Sequence, residues 1–190
     1  MQNRSKTNVL VKLGMLAALG VVLMLVTRFP LFSPYLMYDA GDIAALVSGI
    51  VFGPIYGLAV VAVTASIQAI TVDQQGGWIG LTAHLIATGV FVVVSSFIYK
   101  KFKTLSSLAI GLIIGSLCTT LIMIPLNYFV FLPLYGIPEK ALANTIMFTT
   151  TPFNLVKFVI NSALGLAVFK AAEKFLTNER LFFEKNRKQK

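Results

Sequence analysis

Polar side chains come in short clusters along this chain, and the apolar stretches between them are too long for a soluble core. Residues 43–72 carry no charge, 74–99 carry none beyond the single His84, and 104–138 carry none. A helix needs about 20 apolar residues to cross about 30 Å of hydrocarbon, and each of these stretches exceeds that. The apolar blocks fall at 8–27, 41–72, 81–99, 105–128 and 149–171. As one helix the second block would extend about 48 Å, well beyond the hydrocarbon. It also contains Phe52-Gly53-Pro54, where proline disfavours a helical residue before it and removes a backbone donor. Splitting it there gives helices at 41–52 and 54–72. The pattern therefore predicts an all-α membrane protein, six transmembrane helices in a compact bundle over residues 1–176, followed by a basic tail at 177–190.

Composition agrees: 57% of the 190 residues are hydrophobic and only 12% charged, with a mean hydropathy of +0.83. A soluble domain of this length needs more polar surface than that. Arg28-Phe29-Pro30 is a poor small-residue cleavage site, so the first block reads as a retained helix rather than a signal peptide. The net charge is +9, and its distribution adds topology. Lys and Arg cluster at Arg4, Lys6 and Lys12, at Lys100, Lys101 and Lys103, and from Lys170 to Lys190. The positive-inside rule assigns all three clusters to the cytoplasm. Both termini then lie inside, which requires an even number of crossings; five helices would leave one cluster on the wrong face. The loops around 28–40, 73–80 and 129–148 fall outside. The basic excess reads as attraction to anionic lipid headgroups, and nucleic acid is not an expected partner.

Two outer loops are unusually apolar: Arg28 to Asp39, with Pro30, Pro34 and several aromatics, and Phe129 to Pro138. They either fold back over something or form an interfacial aromatic belt.

Ionisable and amide groups at membrane depth are few, and such groups usually face a bundle interior or cavity. Asp39 and Asp42, at the outer start of the second helix, suit capping of that helix or contact with a substrate. His84 lies about one turn inside the fourth helix and shares a face with Thr88; it suits an interhelical hydrogen bond or a ligand contact. Gln68, Asn127, Asn154 and Asn161 each need a partner, because an unpaired amide in hydrocarbon costs several kcal/mol. Asn154 and Lys157 are three apart on one face of the last helix. Lys157 either snorkels or, deep in its span with Asn154 beside it, faces an inward polar pocket. Gly14 and Ala18 are four apart on the first helix with Ala17 between them, a small-residue face for packing or for docking a partner.

No GxSxG, HExxH or Walker loop is present, and neither His84 nor the lone Cys118 has neighbours at metal-ligand spacing. No catalytic residue, metal or cofactor is expected, and Cys118 reads as a small buried hydrophobe. A small-molecule-binding subunit, a self-sufficient carrier or channel, and a membrane enzyme remain as function classes. The missing catalytic constellation speaks against the last.

Several segments together resemble the substrate-binding, or S, components of energy-coupling factor (ECF) vitamin transporters. They are Pro34-Tyr-Leu-Met-Tyr38-Asp39-Ala-Gly-Asp42, Phe52-Gly-Pro-Ile-Tyr-Gly57, Leu126-Asn127-Tyr-Phe129 with Leu132-Pro-Leu-Tyr-Gly136, and Pro152-Phe-Asn154-Leu-Val-Lys157. The resemblance covers about residues 8–172. It implies six helices, a vitamin bound near the outer face under a first-loop lid, and a small-residue face at Gly14, Ala17 and Ala18 that docks a transmembrane coupling subunit. Two cytoplasmic ATPases supply the energy, and the setting is the bacterial cytoplasmic membrane. It is similar above all to the riboflavin-type branch, in which positions matching Asp39, Asn154 and Lys157 line the flavin site. Tyr38, Gln68, His84 and Asn127 complete the expected substrate-binding set. The middle departs from that branch: Val63-Thr-Ala-Ser66 and Leu81-Thr-Ala-His84-Leu85 stand where it tends to carry a lysine–asparagine step and an asparagine. Pantothenate and pyridoxine- or hydroxymethylpyrimidine-like vitamins therefore stand beside riboflavin as alternatives.

Overall fold

In a computed structural model, which describes residues 2–73 and 76–188, the chain folds into six helical passes. These are α1 (Gln2–Thr27), α2 (Asp42–Phe52), α3 (Pro54–Thr71), α4 (Gly77–Phe102), α5 and α6. Helix α5 runs from Leu105 through a π-helical turn at Asn127–Phe131 to a last turn at Leu132–Leu134. Helix α6 starts at Glu139–Thr145, widens at a π turn over Ile146–Thr150, and continues as Thr151–Lys188. The last residues of the expected basic tail, 189–190, lie outside the described residues. Five passes are long and apolar enough to cross a membrane; α2, with 11 residues, is the short one. Large apolar side chains such as Leu10, Val26, Ile55, Phe97 and Leu121 point outward, the arrangement a hydrocarbon solvent requires.

Gly53 makes the break between α2 and α3. Its φ of 118° is open to glycine and strained for other residues, and Pro54 starts the next helix at a position that needs no backbone donor. The two helices then fold back on each other so tightly that a Cβ on Gly57 would sit 2.9 Å from the Gly49 Cα. Because α2 measures only about 16 Å, its first turn ends deep inside the bundle rather than at the surface. Asp39 and Asp42, expected near the outer surface, are 1% and 2% exposed. Asp42 does not cap α2, whose N-cap is Gly41 with no side-chain hydrogen bond; Asp39 Oδ1 accepts instead from the Gly41 N–H at 3.0 Å.

The first loop departs from an all-helical chain. Phe29–Leu31 (β1) and Ser33–Tyr38 (β2) pair antiparallel around Phe32, which adopts a left-handed φ of 65°. A lone hairpin is marginal in water, and this one is anchored to the bundle. Tyr38 is buried, and the Ala40 N–H donates to Thr27 Oγ1 at 2.8 Å, which ties the end of α1 to the start of α2.

The third outer loop, expected to span 129–148, shrinks to the few residues between Leu134 and Glu139. Each π turn ends two residues before a proline, Phe131 before Pro133 and Thr150 before Pro152, with Leu132 N–H bonding Asn127 O and Thr151 N–H bonding Ile146 O. A proline inside a helix lacks a donor and crowds the preceding carbonyls; widening one turn relieves this without ending the helix.

Aromatic stacking and close backbone approach build the core. The Phe91 and Phe158 rings pack 4.9 Å apart at its centre, among Leu46, Val60, Val61, Leu108 and Leu112. Ala17 belongs to this core, so it does not form an outward face with Gly14 and Ala18, both of which are exposed. Ala17 and Ala18, adjacent in the chain, are rotated about 100° apart on the helix, so one turns into the core while the other stays exposed. Cys118 is a free thiol of intermediate exposure.

Candidate functional site

A cavity of about 760 Å³ opens beneath the hairpin, inside the bundle. Its walls are Leu36 and Met37 from the hairpin, Gln68 from α3, His84 from α4, Met123 and Asn127 from α5, and Thr150, Phe153, Asn154 and Lys157 from α6. Both π turns contribute: Asn127 opens one, and Thr150 closes the other. The widened turns aim these side chains and the helix that follows them into the hollow, a common use of π-bulges.

Gln68, His84, Asn127, Asn154 and Lys157, five of the residues expected to contact a substrate, thus converge on one wall system. Tyr38 and Asp39 do not line the cavity; they are buried behind it. The Tyr38 hydroxyl donates to Asn161 Oδ1 at 3.1 Å, so it braces the hairpin against α6. One Asp39 oxygen has no hydrogen-bond partner among the described residues.

The floor is organised by Asp42. Its Oδ2 accepts from Lys157 Nζ at 3.1 Å, from Asn161 Nδ2 at 3.1 Å and from the Thr88 hydroxyl at 3.2 Å, while His84 Nε2 lies 3.0 Å from Oδ1. Lys157 is therefore no snorkelling lysine; it is buried and paired. Several donors on one carboxylate satisfy the condition under which charges stay in a low-dielectric interior. The network joins α2, α4 and α6 at mid-depth, and through Asn161 and Tyr38 it reaches the hairpin.

At the open end, Arg28, Asp73 and Tyr135 come from three different connections. An Arg28 guanidinium nitrogen lies 3.7 Å from Asp73 Oδ1, and its other terminal nitrogen is buried without a partner among the described residues. Burial pushes the Asp73 carboxyl above its ordinary range, against the opposing pull of Arg28, and burial together with Asp73 pushes the Tyr135 phenol up. Arg28 and Asp73 are missing from the sequence-based set, although they are the charges that bound the apolar runs at this end. Asp42, expected to cap α2 or to touch a substrate from the outer surface, does neither; the short length of α2 is the signal for its depth. Among the described residues no cluster of His, Cys, Asp or Glu has the geometry of a metal site.

These features define a class: a small multi-pass membrane protein whose bundle encloses a ligand-sized, half-polar cavity under a hairpin cover. Residues 8–169 match the family model of the ECF transporter substrate-specific component, and the chain belongs to that family. It is 29% identical to the riboflavin transporter FmnP of Bacillus subtilis (strain 168) over 184 residues, 92% of this chain and 97% of that protein. It is 31% identical to the riboflavin transporter RibU of Staphylococcus aureus (strain TCH60), covering 93% of this chain and 98% of that one. A solved structure, described as the S component of a bacterial ECF transporter, matches with a TM-score of 0.77 at 31% identity, over 90% of this chain and 98% of its own. These relatives are transporter components rather than enzymes.

Proposed function

We propose that this chain captures riboflavin on the outer side of a bacterial cytoplasmic membrane. It would then move the vitamin inward with a transmembrane coupling subunit and two cytoplasmic ATPases. The observation that carries this reading is the cavity: about 760 Å³, within the range of pockets that enclose a single small metabolite. Phe153 and Phe158 offer flat apolar faces, and Met123 an adaptable one, to a tricyclic ring. Gln68, Asn127 and Asn154 offer amides, which both donate and accept, to the alternating polar edge of a flavin and to the hydroxyls of its ribityl chain. The relatives from Bacillus subtilis and Staphylococcus aureus are riboflavin transporters by name; pantothenate draws no support from them. The basic clusters of the sequence favour the end opposite the hairpin as the cytoplasmic one.

Titration of the purified chain with riboflavin tests the reading. Flavin fluorescence should be quenched saturably at one ligand per chain; a preparation that leaves it unquenched sinks the assignment. Flux into liposomes containing this chain alone would favour the self-sufficient carrier.

Two smaller effects follow. Tyr38→Phe removes the hydroxyl that braces the hairpin on Asn161. A neutral hydrogen bond contributes about 1 kcal/mol, so riboflavin should dissociate roughly fivefold faster in a stopped-flow experiment, because such losses show mainly in the off-rate. An unchanged off-rate would free the hairpin of its role as cover. Gly14, in contrast, has nothing within 4 Å of a built Cβ. Gly14→Leu should melt within about 0.5 kcal/mol of the parent and bind riboflavin normally, yet fail to co-purify with the coupling subunit. Retained co-purification would move the docking face elsewhere.

A further inference from the structure

Lys157 meets the cavity with its charge already matched. Its Nζ lies 3.1 Å from Asp42 Oδ2, and both side chains are almost fully buried. Asp42 does not itself line the cavity; donors from Thr88, Asn161 and His84 fix its carboxylate in one orientation. The other cation of the cavity wall, Arg28, likewise has a carboxylate, Asp73, at 3.7 Å. A ligand entering this space meets paired charges and amides, and among the described residues of the wall both Lys157 and Arg28 already face a carboxylate. In a low-dielectric enclosure a single unmatched charge acts over many ångströms, so the pairing decides which ligands are admitted.

We infer that Asp42 is a specificity-determining positioning residue: by cancelling the charge of Lys157 from behind the cavity wall, it makes the site select neutral ligands over anionic ones of the same shape. The inference rests on the flavin-binding reading and adds the charge class of the ligand and the residue that sets it. A vitamin that carries a carboxylate is thereby disfavoured, because the lysine that would pair with it is already taken.

The test uses two flavins of matched size, one with a carboxymethyl group on N10 and the other with the corresponding carboxamide, beside riboflavin itself. The quantity read is the ratio of amide to acid affinity. The parent should prefer the amide. In Asp42→Asn the unmatched Lys157 should shift the ratio toward the acid by about tenfold. In Lys157→Gln the unmatched carboxylate should shift it by a similar factor in the opposite direction. The double variant should return to the parental ratio, and Asp42→Glu should hold it even if overall affinity falls. A purely structural role for Asp42 would lower both affinities together and leave the ratio fixed. Equal ratios in the parent and both single variants, or shifts of the same sign, overturn the inference; if only one single variant folds, the sign of its shift decides. A parent that binds riboflavin but shows no amide preference overturns it too. A parent that binds no flavin at all overturns the flavin reading, and this inference with it.

Discussion

Lys157→Met is expected to weaken riboflavin binding by at least about 100-fold, the largest loss of any single cavity residue. Removing one partner of a buried ion pair costs about 3 kcal/mol or more, because the other charge is left without its counterion. Here that charge is Asp42, which would keep only neutral donors and His84. The floor shared by α2, α4 and α6 would then rearrange, and with it the cavity wall that carries Asn154. Asn154→Leu, which removes an amide from the wall but leaves the ion pair, should cost about tenfold, the equivalent of one or two hydrogen bonds. Fluorescence titration of the two variants, with melting curves to establish that both are folded, checks the ordering. Parental affinity in both would remove these residues from the site.

Gly57→Leu is expected to abolish the folded bundle or lower its melting temperature steeply. A Cβ at Gly57 would press on Val92 and sit 2.9 Å from the Gly49 Cα and 3.1 Å from the Ala45 carbonyl oxygen. Two of those obstacles are backbone and cannot swing away. Overpacking a fitted contact costs about 1–3 kcal/mol for small intrusions and more for a whole side chain. The damage would also reach the site, since the α2–α3 contact fixes how deep the first turn of α2, and so Asp42, sits in the bundle. A variant that melts like the parent would mean that the helical hairpin is looser than its geometry implies. The contrast with Gly14 is direct: the same residue type, on a helix face with nothing opposite, should tolerate the change.

Much of the fold was legible because membrane helices answer to a simple rule. Without water in the hydrocarbon, each crossing must be a long run that satisfies its own backbone hydrogen bonds, and such runs stand out in a sequence. The Phe52-Gly53-Pro54 break was legible for an equally local reason, a glycine that tolerates a φ of 118° followed by a proline that starts a helix. The π turns were not. Pro133 and Pro152 signal strain in a helix, but whether a helix stops or widens depends on what packs around it, and here the helices of both segments continue. The expected loop at 129–148 was lost to that outcome. The hairpin at 29–38 was also hidden, because its pairing depends on contacts with the bundle below.

For the site, the sequence by itself determined which groups needed partners away from lipid, the amides of Gln68, Asn127 and Asn154 and the imidazole of His84, and left Lys157 open between snorkelling and an inward pocket. Only the tertiary structure decided how they divide. Asp42 and Asn161 went behind the wall as partners, Asn154 and Lys157 onto the cavity surface, and Tyr38 to a brace on the hairpin. The physical reason is that burial cost is a property of each residue alone, whereas the partner that offsets it comes from wherever the fold brings a second helix. For Asp42 and Lys157 that partner is more than a hundred residues away in the chain.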